Sequence, residues 1–218
     1  MTSIQSDAPT WVSFPAHAMP TVDWADHGEA HRAVMRLFNP RLPGESHQRR
    51  AAAGVLYRVD LQPDGEPLIL VQTRQPVELL PPSARALTVP EARWRIPDGQ
   101  RIMFRVAVNP LSRRTVKSEG AKRREVVQVV AANDMDAWLT RKIESSVKVE
   151  WVVNRVRSVT KRRRGGLGGR ATPPQVVVDT VDVVGVVCDS EAFTRLRLEG
   201  VGRAKAYGCG LLTAVPVA

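Results

Sequence analysis

Residues 200–218 read GVGRAKAYGCGLLTAVPVA. Gly200 and Gly202 open the stretch, Gly208 and Gly210 close its loop, and Leu211 to Val217 form an apolar run. Glycine lets a backbone take φ > 0 and lie close against another backbone. Arg203, Lys205 and Tyr207 stand between the glycine pairs, and the two cations point to phosphate. The order of the parts narrows the reading. A dinucleotide-binding or P-loop glycine run follows a strand and opens a helix, whereas this loop leads into a strand. The third glycine of G-x-G-x-x-G would fall on Lys205, so that fingerprint fails as well. A basic glycine loop that delivers a final strand points to RNA rather than to a nucleotide cofactor.

The charge agrees with that direction. The chain of 218 residues carries a net charge of +10, with 43% hydrophobic residues to supply a core. Residues 1–100 hold 10 Lys/Arg against 11 Asp/Glu, and residues 101–218 hold 22 against 11. A C-terminal half with a net charge of +11 suits a polyanion. Two cysteines, Cys188 and Cys209, have no C-x-x-C spacing. They read as free thiols in a reducing cytoplasm, not as a zinc ribbon or a disulfide framework. The first ten residues, MTSIQSDAPT, lack the apolar core of a signal peptide and read as a flexible leader. The apolar stretch from Val176 to Cys188 is broken by Asp179 and Asp182, so no transmembrane helix is expected.

The pattern of elements predicts an α+β fold. A short strand is expected from Trp11 to about His17 and a helix from Asp26 to Phe38. Asp26 is the N-cap, Glu29 sits in the capping-box position, and Ala30, Ala33, Val34, Leu37 and Phe38 form the buried stripe. Val55 to Leu61 and Leu68 to Thr73, around Pro63-Asp64-Gly65, read as a hairpin. Five prolines in residues 76–98 mark an irregular link between two domains. A second set follows: a strand from Gln100 to Val108, a basic excursion from Asn109 to Arg124, and a helix from Asp134 to Ser145 with Met135, Trp138, Leu139 and Lys142 on related faces. Strands from Val147 to Val159 and Val176 to Val187, a helix from Ser190 to Glu199 and the strand from Leu211 to Val217 complete it. This order is compatible with two tandem ferredoxin-like (RRM-like) βαββαβ units, at about residues 11–90 and 91–218, although the first lacks a clear second helix.

Three further basic clusters lie in the second half: Arg113, Arg114 and Lys117; Lys122, Arg123 and Arg124; and Lys161, Arg162, Arg163 and Arg164, followed by Gly165, Gly166, Gly168 and Gly169. Loops of this kind track an RNA backbone, each neutralised phosphate releasing counterions, and read an A-form helix by its shape. Histidine is scarce: His17, His27, His31 and His47. His27 and His31 share a helix face, but Glu29 stands two residues after the first histidine where the zinc-protease motif needs one, and no later cluster completes a metal site. No metal and no cofactor are therefore expected. RNA supplies its own nucleophile, the 2′-OH. The protein has to take that proton, protonate the leaving 5′ oxygen and neutralise charge. Histidine titrates in the range needed, and lysine or arginine supplies the charge. His31 is the candidate. Arg36 lies roughly 140° round the helix from it, within reach of a long side chain near the helix end.

The C-terminal GVGRAKAYGCGLLTAVPV, together with His31 in AHRAVMRLF, the strand pair VLYRVDL and LILVQTR, and RIMFRVAVNP before its basic loop, resembles the CRISPR precursor-RNA endoribonucleases of type I-E systems, the CasE branch of the RAMP superfamily. The resemblance covers about residues 11–218. It implies two ferredoxin-like domains and metal-independent cleavage of CRISPR repeat RNA at the 3′ base of a hairpin stem, with 2′,3′-cyclic phosphate or 3′-phosphate and 5′-OH ends. It also implies retention of the product in the Cascade complex, whose protein subunits would be the partners. His31 matches the family's catalytic histidine, Arg36 a position where some members place a lysine, and Lys161 to Arg164 the basic hairpin that grips the stem. Gly28 stands where some members carry a tyrosine, and His27 is a nearby substitute. The alternative is a non-catalytic RNA-binding subunit of the same superfamily, which would bind the hairpin without cutting it.

Overall fold

The structure, a computed structural model, describes residues 9–42, 45, 48–88, 94–116, 124–161 and 175–217. It contains two four-stranded antiparallel sheets, each with the strand order of a ferredoxin-like domain. In the first, β1 (Thr10–Pro15), β2 (Leu56–Leu61), β3 (Pro67–Thr73) and β4 (Arg85–Thr88) lie in the order β2-β3-β1-β4. In the second, β5 (Arg101–Val108), β8 (Val147–Lys161), β9 (Gln175–Val187) and β10 (Leu212–Pro216) lie in the order β10-β5-β9-β8. The fold class is thus α+β with two ferredoxin-like domains. Among the described residues, no helix is long and apolar enough to cross a membrane.

One face of each sheet is covered. Helix α1 (His27–Met35) and the turns after it lay Ala30, Ala33, Val34, Leu37 and Phe38 onto Val12, Phe14, Ile69 and Val71. A short helix, α2 (Arg49–Ala52), leads into β2. Between β3 and β4 the described chain has no helix, as its prolines suggest. In the second domain, α3 (Met135–Ile143) and α4 (Ser190–Glu199) cover Ile102, Phe104, Val106, Val181 and Val183.

Several elements differ from expectation. The strand β1 starts at Thr10, inside the expected leader, and residues 1–8 lie outside the described residues. The expected irregular link contains β4, whose four exposed residues pair with β1. Edge pairing needs only backbone groups, so RALT carries no apolar alternation to betray it. The basic excursion includes a hairpin of β6 (Leu111–Val116) and β7 (Arg124–Val129), inserted between β5 and α3 as a separate two-stranded sheet. On α3 the fourth buried residue is Ile143, and Lys142 is exposed with its ammonium 5.8 Å from the centre of the Trp138 ring.

The two domains are joined by buried polar contacts. Arg58 of the edge strand β2 pairs with Asp60 at 2.7 and 2.8 Å, and also donates to the carbonyls of Arg105 and Leu211, each at 3.0 Å, and to Thr213 Oγ1 at 3.1 Å. Gln72 Nε2 donates to the Arg197 carbonyl of α4 at 3.0 Å. The Arg197 guanidinium is itself buried, 3.9 Å from the centre of the Trp94 ring, and donates to the Trp94 carbonyl. Burial lowers its pKa to about 10.

Candidate active site and RNA interface

Helix α1 positions the histidine. Asp26 caps it, accepting from the backbone of Gly28 at 2.7 Å and Glu29 at 2.9 Å, a standard role for aspartate at this position. Glu29 reaches back past the cap to the Asp23 amide instead of closing a capping box on Asp26. With its apolar stripe held in the core, α1 presents His31, Arg32 and Arg36 along the rim of an open cleft of about 700 Å³ that Arg49, Arg50 and Glu78 also line. His31 and Arg36 are therefore brought to one cleft. Arg36 is exposed; the His31 ring is half-buried, and its Nδ1 is buried without a hydrogen-bond partner among the described residues. Burial, then the charges of Arg50 and Arg32, hold the His31 pKa below its ordinary value of 6.5. The imidazole is neutral at pH 7, the form that accepts a proton.

Arg50 is a residue of this cleft that sequence reasoning missed. It lies on α2, donates to the Val55 carbonyl at 2.6 Å, and is the cation with the largest influence on His31. The only sequence signal is the Arg49-Arg50 pair in a polar loop, which reads as a solvated surface charge.

The glycine loop closes over this helix. Its centre, Lys205–Tyr207, is a single 3-10 turn between left-handed residues Ala204 (φ 57°) and Gly208 (φ 78°), and it packs against α1. The Val201 amide donates to the Gly210 carbonyl at 2.9 Å, and the Gly210 amide to Ala107 of β5 at 2.6 Å, so the loop folds back on itself over the second sheet. Gly200 (φ 80°) leaves no room for a side chain: a Cβ would lie 3.0 Å from both the Gly210 carbonyl oxygen and Leu56 of the first domain. At Gly208 a Cβ would lie 3.2 Å from the Tyr57 ring, whose hydroxyl donates to the Ala206 carbonyl at 3.0 Å. Gly200, Gly208 and Gly210 are buried against protein and Gly202 is exposed. The buried glycines thus dock the loop across the domain seam, and what they offer a ligand is the loop's shape. Gly208→Val should strain the backbone by about 1–3 kcal/mol and press on Tyr57. The melting temperature then falls by several degrees, at roughly 2–4 °C per kcal/mol for a chain of this size; thermal denaturation at the parent's temperature would show that the seam tolerates the substitution.

Two side chains ride on the turn. Lys205 is half-buried; burial and then Arg50 lower its pKa, with Glu199 opposing. Tyr207 places its ring centre 6.0 Å from that of His27. The His27 pKa is lowered by burial, against Asp26. Cys209, beneath the loop, is fully buried and its thiol is pushed up to about 12, which removes it as a nucleophile.

A second group of cations forms on the other domain. Exposed Arg113 of β6 and Arg203 of the glycine loop, some ninety residues apart, line one notch of about 430 Å³ with Arg141 and Lys142 from the last turn of α3. Sequence reasoning placed Lys142 only on a face of its helix and did not name Arg141; near a helix C-terminus both read as charges that suit the helix dipole. Arg114 lies in β6, Arg124 opens β7 and Lys161 ends β8. Lys117, Lys122, Arg123, Arg162, Arg163, Arg164 and His47 lie outside the described residues.

Two ferredoxin-like domains, locked by a glycine loop that folds against a histidine-bearing helix, define the structural class. The chain belongs to the CRISPR associated protein family, whose model matches residues 12–216. It is similar to the Cascade subunit CasE of the CRISPR system of Escherichia coli K12, with 26% identity over 197 residues, covering 87% of this chain and 92% of that protein. The crystal structure of Cas6e from E. coli K-12 superposes with a TM-score of 0.66 at 22% identity, covering 96% of this chain and 100% of that one. The CRISPR endoribonuclease Cse3 bound to a 19-nucleotide RNA superposes with the same TM-score, identity and coverage.

Proposed function

We propose that this protein is a metal-independent endoribonuclease that binds the CRISPR repeat hairpin, cuts precursor RNA at the 3′ base of the stem, and keeps its product as a subunit of Cascade. The observation that carries the reading is a half-buried histidine on the rim of a cleft of arginines, its pKa held down by burial and by those charges, with a basic glycine loop folded against the same helix. Similarity to a protein described as a Cascade subunit and to one described as an endoribonuclease bound to RNA supports it.

In this mechanism His31 takes the proton of the 2′-OH. The freed oxygen forms a bond to the adjacent phosphorus, the P–O5′ bond breaks, and the 5′ oxygen takes a proton from water. A 2′,3′-cyclic phosphate and a 5′-OH result. Arg36 and Arg50 stabilise the extra charge on the phosphoryl oxygens, as cations placed beside developing charge do. Residues 11–90 form the catalytic domain. Residues 91–218 grip the stem through Arg113, Arg114, Arg124, Arg203, Lys205 and the segment Lys161 to Arg164. The protein works in the cytoplasm, where the transcript is made.

The pH dependence tests the role given to His31. Its pKa in the free protein lies below 6.5, so kcat/KM stays level above pH 7 and falls as pH drops through that lowered value, because protonation removes the base. Arg50→Gln removes a neighbouring positive charge, which raises the His31 pKa and moves the acid limb to higher pH. An acid limb that stays in place in Arg50→Gln, or a rate that rises with acidity, would contradict the assignment. Tight hairpin binding by the parent protein without any cut would favour the non-catalytic subunit.

A further inference from the structure

A second cleft, of about 380 Å³, opens on the other side of the Lys205–Tyr207 turn from His31. It is lined by Trp24, which precedes α1, by His27 at the helix start, by the edge strand β2 and Tyr207, and from the second sheet by Asn154, Val156 and Thr180. His27 and His31 are one helical turn apart, about 6 Å along the axis, so the two clefts are neighbours along α1.

Their electrostatics differ. The His31 cleft gathers four arginines against the single carboxylate Glu78. In the second cleft each arginine is already matched: Arg58 pairs with Asp60, and Arg105 pairs with Asp182 at 2.6 and 2.8 Å. A cleft balanced in this way has no spare charge for a phosphate. It offers instead the half-buried rings of Tyr207 and His27, beside Val156 and the polar side chains of Asn154 and Thr180. Trp24 is only 8% exposed and packs edge-on against Phe14, so it forms an apolar backing to the cleft. Its volume lies at the small end of the range for ligand pockets, roughly 300–1,000 Å³. Unpaired RNA bases are held in such sites, stacked on Tyr, Trp or His and hydrogen-bonded at their edges.

We propose that this cleft receives one flipped-out nucleobase of the RNA substrate, that of the nucleotide immediately 3′ of the cut, while the scissile phosphate lies in the His31 cleft. The assignment of the nucleotide rests on the function proposed above. With the cut at the 3′ base of the stem, the nucleotide before it is paired and the one after it is the first base free to leave the stack. Seating that base turns the backbone at the cut and helps bring the 2′-OH into line with the 5′ oxygen. The leaving fragment carries the base away, and the stem stays bound.

The test compares single-turnover cleavage of the repeat hairpin with that of the same hairpin made abasic at the nucleotide after the cut. The parent protein should cut the abasic RNA roughly tenfold more slowly, the scale set by loss of one stacked base. Val156→Trp fills the cleft from an exposed position of β8, and Ser158→Trp does so from a second exposed position. In each variant that retains hairpin binding, the ratio of intact to abasic rates should collapse towards one. Equal rates on the two RNAs with the parent protein, or a tenfold ratio that survives both filled variants, would overturn the proposal while leaving the endoribonuclease in place. Failure of the parent protein to cut the intact hairpin would remove both.

Discussion

His31→Ala lowers the single-turnover rate of hairpin cleavage by about 10²–10⁴-fold, the contribution typical of a positioned general base, and leaves hairpin affinity close to that of the parent protein. The separation of the two readouts follows from where His31 sits. Its ring is half-buried and unprotonated at neutral pH, so it adds little to the attraction between protein and phosphates. In the proposed function affinity comes from the cations around it and from those of the second domain. The substitution also leaves α1 intact: the core stripe and the Asp26 cap do not involve the imidazole, and alanine is the best helix former. A variant that loses binding in step with cleavage would show His31 gripping RNA instead of moving a proton.

Arg58→Ala produces the largest loss of stability. Arg58 is 3% exposed and Asp60 9% exposed, so the variant leaves a carboxylate buried without its cation, and removing one partner of a buried pair costs about 3–5 kcal/mol. The lost guanidinium also served the carbonyls of Arg105 and Leu211 and the Thr213 hydroxyl across the domain seam. At roughly 2–4 °C per kcal/mol, the melting temperature should fall by on the order of 10 °C. The double substitution Arg58→Met with Asp60→Leu should recover a large part of it, since no charge is then left buried. A single Arg58→Ala variant that melts with the parent protein would mean that the two domains do not depend on this seam.

Much of the architecture was legible because it is written in periodicity. Ser190–Glu199 is the helix expected to the residue, and Arg101–Val108 alternates as an amphipathic strand should. The elements that escaped are those whose stability comes from outside their own pattern. The strand Arg85–Thr88 exists because β1 offers it an edge. The β6–β7 hairpin pairs Arg113 with Val127 and Arg114 with Val126, so its charges obscure its alternation. The site divided along the same line. His31 and Arg36 stand five residues apart on one helix, and their common cleft follows from helix geometry. Arg50, Tyr207 and the notch shared by Arg113 and Arg203 are juxtapositions of distant segments. The placement of Tyr207 and Arg203 depends on Gly200 and Gly208 allowing the loop to dock on β2, which a glycine pattern alone does not reveal; that of Arg50 depends on α2 and its bond to the Val55 carbonyl.

The central claim is that the RNA cuts itself under the direction of His31, without a metal. The most direct measurement incubates the protein in EDTA with two repeat hairpins, one all-ribose and one carrying a single 2′-deoxy sugar on the nucleotide before the cut. The account predicts one cut at the 3′ base of the stem in the first RNA, with a 2′,3′-cyclic phosphate end, and no cut in the second, at equal affinity for both. Cleavage of the deoxy-substituted hairpin at that position, or a cut that appears only when a divalent metal is restored, would contradict it.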